Sequence, residues 1–312
     1  MAFSVAGKHA LITGAGSGIN LAFARLLLQR GCSVTIGDIG LQPGAEELLR
    51  QYPHTAGSNS KKPAAIFHKT DVSSWPQLSS LWARATSAFP TVDIVCPGAG
   101  IFEPSWSSFW EPPVTVTNPN SPSRDRADAA PGTYATIDVC LTHPIRLSQL
   151  ALGYWLAEQN KGKAAAAGGT RGVLLHVSSI AGHSTSIGTP LYYASKHGLH
   201  AFVRSLGSLR DTVGVRVGAV APCGVKVTVS PILAENRARS LRSIVILGLT
   251  GQLTDRNPRH RCGLKILRRL LCSARAMTWP SPKKWPRPCS DCVRKRLWAT
   301  ARFWRSPRGQ HV

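Results

Sequence analysis

Lys8-His-Ala-Leu-Ile-Thr13-Gly14-Ala-Gly16-Ser17-Gly18-Ile19-Asn20 contains a strand, a glycine turn and the start of a helix in thirteen residues. Lys8 to Thr13 is apolar enough for a buried strand. From Asn20 to Arg30, Leu21, Ala24, Leu27 and Leu28 fall on one helical side. A glycine turn between a strand and a helix presents backbone N–H groups and a helix N-terminus, which together suit a dinucleotide pyrophosphate. A second strand, Ser33 to Asp38, ends in an acid twenty-four residues after Gly14. A carboxylate there accepts from an adenosine ribose 2′-OH and repels a 2′-phosphate. No Lys or Arg lies in the turn and Ile39 follows the acid, so NAD is favoured over NADP.

Working outward, strand-like runs at 8–13, 33–38, 64–69, 92–96, 172–178 and 214–221 alternate with helical stretches. This predicts an α/β fold, a doubly wound parallel sheet of the Rossmann type. Residues 103–132, rich in Pro, Ser and Asp, predict a long loop, and 164–170 is a small-residue insertion before the fifth strand. No apolar run of about 18 residues predicts a membrane span, and no charged start with an apolar core predicts a signal peptide. A cytoplasmic location is the expectation.

The chemistry-bearing residues lie later in the chain. Tyr192 and Lys196 are four apart, on one helical face, and Ser179 precedes Tyr192 by thirteen residues. An ammonium near a phenol favours the phenolate and lowers its pKa from about 10. A phenolate takes a proton from an alcohol, and a serine hydroxyl holds the same oxygen.

These residues resemble the short-chain dehydrogenase/reductase family over about residues 5–222. Thr13-Gly-Ala-Gly-Ser-Gly-Ile19 matches its glycine turn, and Ser179, Tyr192 and Lys196 match its active site. Asp71-Val72 matches its adenine-contacting pair, although Asp71 can equally cap the following helix. Asp93-Ile-Val-Cys-Pro-Gly-Ala-Gly-Ile101 and neighbouring segments are similar to a fungal branch related to NAD-dependent hydroxyprostaglandin dehydrogenase.

The resemblance implies NAD contacts at Gly14, Gly16, Ser17, Gly18, Ile19, Asp38, Asp71, Val72, Gly98, Ala99, Gly100, Tyr192 and Lys196. It implies oxidation of a secondary alcohol to a ketone, or the reverse. Tyr192 would be the base, Lys196 its tuner and Ser179 the holder of the substrate oxygen. It also implies a homodimer paired through about 133–160 and 190–210.

Three positions depart from the family pattern. Asn20 replaces the third glycine of the turn, where tolerance is expected. Pro97-Gly98-Ala99-Gly100 replaces Asn-Asn-Ala-Gly, removing side-chain bonds. Cys140 stands at the fourth catalytic position, an Asn in the family that supports a water in the proton relay. A thiol donates and accepts weakly, so turnover is expected to be reduced rather than abolished. The competing reading is a non-catalytic or truncated relative that binds dinucleotide at best.

The formal charge of +23 is unevenly spread. Residues 1–221 hold 18 Lys+Arg and 12 Asp+Glu, and residues 222–312 hold 20 and 3. Residues 1–222 are therefore read as the dinucleotide-binding domain. Residues 223–312 are read as a basic extension without compact structure or specific nucleic-acid binding. Back-translated with G- or C-ending codons and shifted by one frame, Pro282–Cys292 yields a segment like the family's own C-terminal helix. An out-of-frame tail is the expectation. Cys262, Cys272, Cys289, Cys292 and His260 match no common zinc spacing. His183, His197 and His200 are expected to flank the pocket, so no metal is expected.

Overall fold

The computed structural model describes residues 3–54, 62–160 and 170–223. Six parallel strands form one sheet in the order β3-β2-β1-β4-β5-β6: β1 His9–Thr13, β2 Ser33–Asp38, β3 Ala65–Lys69, β4 Ile94–Pro97, β5 Gly172–Val177 and β6 Val215–Val220. All six fall within two residues of the runs expected from sequence. β1 is buried at every position and β4 likewise, which is why both read as unbroken apolar runs.

The helices are α1 Gly18–Gln29, α2 Pro43–Gln51, α3 Trp75–Ala88, α4 Ala135–Ile137, α5 His143–Asn160, α6 Pro190–Ser205 and α7 Leu209–Val213. α1 packs on β1 and β2, α3 and α5 against each other, and α6 on β6. α3 begins where Ser74 accepts a bond from the Gln77 N–H, with Pro76 in its first turn. Its Leu81 sits so close to Gly37 that a Cβ there would lie 2.5 Å from a leucine methyl. β2 therefore needs glycine at 37 for the helix to seat.

Strand order reverses between β1 and β4, whose last residues, Thr13 and Pro97, are register partners. The crevice at that switch point is where such sheets bind ligands. α4 runs through a π-helical turn, Asp138–Thr142, into α5. The expected long loop contains a short 3-10 turn, Ser105–Ser107, and isolated bridges Ser108–Glu111 and Thr115–Asn118. Most of the 164–170 insertion and the tail beyond Cys223 lie outside the described residues. Among the described residues no helix is long and apolar enough to cross a membrane.

Candidate active site

The glycine turn closes on the ends of β2 and β4. Gly14 and Gly18 have φ of 73° and 62°, which side-chain-bearing residues rarely adopt. A Cβ at Gly14 would lie 2.6 Å from Ala99 Cα, and one at Gly16 would lie 2.1 Å from the Gly40 carbonyl oxygen. The Gly16 N–H donates to Asp38 Oδ2 at 2.8 Å and the Gly40 N–H to Oδ1 at 3.4 Å. Burial still pushes the Asp38 carboxyl above its ordinary value, with these backbone donors opposing it. Lys69, its register partner on β3, is exposed and forms no ion pair with it.

Ser17, the N-cap of α1, makes no side-chain cap bond, and the first turn carries no acid. The helix N-terminus is thus open to an anion, as a pyrophosphate needs. The donor chemistry fits a dinucleotide. Val72 is buried. Asp71 is exposed and accepts from the Ser73 N–H and hydroxyl, while Ser74 caps α3, so Asp71 is not the cap.

Asn20 does more than take the place of a glycine. It is buried, and its Nδ2 donates to the Gly98 carbonyl at 2.8 Å and the Thr13 carbonyl at 3.3 Å. A Cβ at Gly98 would fall 2.5 Å from that same Nδ2. The two departures from the family pattern therefore occupy one volume: the amide missing at 98 arrives from 20. Asn20 Oδ1 is buried without a partner.

The catalytic candidates converge. Ser179 follows β5; its hydroxyl accepts from the Ala181 N–H at 3.2 Å and lies close enough to the Tyr192 phenol to favour its ionised form. Lys196 lies one turn further along α6, its Nζ 5.4 Å from the centroid of the Tyr192 ring and donating to the Val177 carbonyl at 3.1 Å. A Cβ at Gly100 would lie 3.8 Å from Lys196 Nζ and 3.9 Å from Cys140 Sγ. The end of β4, the lysine and the cysteine therefore share one neighbourhood.

Cys140 sits in the π-helical turn, fully buried, and its thiol donates to the Ile101 carbonyl at 3.2 Å. Burial pushes that thiol up, with the Lys196 charge opposing it. Turns of this kind recur at functional sites.

The electrostatics correct the expectation for Tyr192. Burial raises its phenol above the ordinary value, and the nearby Ser179 hydroxyl opposes this only in part. Burial lowers Lys196 as well, so the buried pair is pushed toward neutral phenol and away from the ammonium–phenolate form. His200 is buried beside Gly182, its ring tilted against that of His183 with centroids 4.3 Å apart, and His197 is bonded to the Tyr193 carbonyl. Among the described residues no group of three or more His, Cys, Asp or Glu could hold a metal.

Sequence reasoning missed Glu103. It is buried, has a φ of 31°, and accepts from the Tyr192 N–H at 2.9 Å. Only tertiary structure joins residues 89 apart.

Residues 8–238 match the family model "short chain dehydrogenase". The chain belongs to the short-chain dehydrogenase/reductase family, oxidoreductases that work with nicotinamide cofactors. It is 28% identical over 220 residues to human 15-hydroxyprostaglandin dehydrogenase [NAD(+)], covering 70% of this chain and 68% of the relative. It is 30% identical over 222 residues to cis-4-hydroxycyclohexanecarboxylate dehydrogenase of Sinomonas cyclohexanicum, covering 71% and 75%. A fungal relative, short-chain dehydrogenase/reductase prx4 of Penicillium roqueforti, is 26% identical over 261 residues, covering 81% and 67%. A short-chain type dehydrogenase/reductase from Mycobacterium marinum superposes with a TM-score of 0.53 at 19% identity, covering 74% of this chain and 77% of that one, a likeness of fold.

Proposed function

We propose that this chain oxidises a secondary alcohol to a ketone, or the reverse, with NAD. The observation that carries the reading is Lys196 with its Nζ 5.4 Å from the Tyr192 ring centroid, Ser179 beside that phenol, and Gly100 at the switch point within reach of the same Nζ. A bound nicotinamide would supply the hydride acceptor and a positive charge. Gly14, Gly16, Ser17, Gly18 and Ile19 would hold the pyrophosphate, Asp38 the adenosine ribose, and Val72 and Asp71 the adenine side. Gly98, Ala99 and Gly100 would let the cofactor approach the backbone.

Ser179 would donate to the substrate oxygen, and Tyr192 would take its proton. Because burial favours the protonated phenol, the base form accumulates on the alkaline side, so oxidation is expected to gain from rising pH. Lys196 would bond the nicotinamide ribose and pass the proton outward. Cys140 would do this relay's work poorly, its thiol being committed to the Ile101 carbonyl. That same observation favours the second reading, a dinucleotide-binding relative with little turnover. A homodimer paired through 133–160 and 190–210 belongs to the proposal and is checked by sedimentation.

The test is calorimetric titration of the full chain with NAD and NADP, followed by assay of 2-octanol and cis-4-hydroxycyclohexanecarboxylate. NAD should bind at least tenfold tighter, about 1.4 kcal/mol. Equal affinities or a preference for NADP would overturn the cofactor assignment. Tight NAD binding with no turnover of any alcohol would favour the second reading.

A further inference from the structure

α6 has no N-terminal cap of its own. Thr189 makes no side-chain cap bond, Pro190 opens the helix, and the first turn holds no acid. Its cap comes from far away in sequence: Glu103 Oε2 accepts from the Tyr192 N–H at 2.9 Å. A carboxylate suits this end of a helix both as acceptor and as charge.

The other carboxylate oxygen, Oε1, accepts from the Phe109 N–H at 3.0 Å and the Ser108 hydroxyl at 3.3 Å. One side chain thus ties the 101–111 segment to the amide of Tyr192. Neighbouring contacts follow the same line. The Phe102 ring meets the Tyr192 ring edge-on at 4.8 Å, and Trp110 Nε1 donates to the Ile187 carbonyl at 2.6 Å. The backbone at Glu103 is the one non-glycine positive φ among the described residues. Such strain persists only where its surroundings over-determine it.

We propose that Glu103 is a positioning residue: it fixes Tyr192 along the α6 axis and holds Phe102 against the reacting phenol as a wall of the substrate pocket. This rests on the alcohol-oxidation reading above.

Glu103→Gln in the full chain tests it. An amide has one oxygen, so its NH2 must face either the Tyr192 N–H or the Phe109 N–H. The expected result is a kcat for 2-octanol at least tenfold lower, with Kd for NAD within twofold and faster hydrogen exchange at the Tyr192 amide. Ser108→Ala loosens only the loop side and should leave kcat and that amide unchanged. Glu103→Gly frees the strained backbone, so it should fold even if the Gln variant does not, and it should lose kcat equally. An active parent whose Glu103 variants keep kcat within twofold overturns this role alone. So does an equal loss of kcat and NAD affinity in Glu103→Gln and Ser108→Ala, which would signify general damage. A parent that oxidises no alcohol overturns the functional reading, and this role with it.

Discussion

Exchanging residues 20 and 98 tests whether two departures from the family pattern are one adaptation. In Gly98→Asn the new Cβ would lie 2.5 Å from Asn20 Nδ2 and 2.6 Å from its Oδ1. Asn20 is only 6% exposed and cannot swing away, so overpacking of about 1–3 kcal/mol is expected. Asn20→Gly removes the bonds to Gly98 and Thr13, about 1 kcal/mol each, and adds a helical glycine worth about 1 kcal/mol more. It also removes the unpartnered Oδ1, which returns about 1–3 kcal/mol. The net loss for that variant is therefore about 1 kcal/mol. In the double variant the clash is gone and the new side-chain amide at position 98 enters the vacated volume. A coupling of about 2 kcal/mol follows. With about 2–4 °C per kcal/mol in a domain of this size, the double variant should melt about 4–8 °C above the additive expectation. Thermal melts of all four chains, with and without NAD, read it directly. Additivity to within about 0.5 kcal/mol would refute the shared-volume argument.

Burial lowers His9, His143 and His176 to about 4, whereas the unfolded chain titrates near 6.5. Between those values the unfolded state binds more protons, so stability is complete above pH 6.5 and is lost as pH falls toward 4. The cost is about 2 kcal/mol for each histidine at pH 5, an acid lability visible in melts at pH 7 and 5; an unchanged Tm would contradict it. Tyr192→Phe should abolish alcohol oxidation while leaving NAD affinity within a few-fold, measured by steady-state kinetics beside titration. Cys140→Asn should raise kcat over the parent, and no gain would show that another group completes the relay. Asp38→Ala should narrow the NAD preference chiefly by improving NADP binding.

The sheet was legible because its central strands β1 and β4 are buried at every position, so apolar runs such as Ala10–Ile12 and Ile94–Cys96 stand out without long-range information. Ser179, Tyr192 and Lys196 were legible by spacing, since one helical turn and one strand-to-helix connection fix their separation. What sequence could not show depends on tertiary contact. Asn20 and Gly98 looked like two independent departures until one volume was seen to hold both. Glu103 sat in a proline-rich loop with no periodicity to mark it. The direction of the Tyr192 shift depended on its own burial, whereas spacing predicted only that an ammonium would be near.

The two sides of the candidate active site are fastened differently. The proposed cofactor side rests on continuous strand ladders, Thr13 against Gly37 and Pro97, for example. The proposed substrate side, from Ile101 to Glu111, hangs largely on side-chain bonds from Glu103, Cys140 and Trp110. Ladders open cooperatively with the whole sheet, but a few side-chain bonds can open locally at smaller cost. Mild heat or low denaturant should therefore detach the wall first. Catalysis would fade while circular dichroism and dinucleotide affinity still report an intact protein.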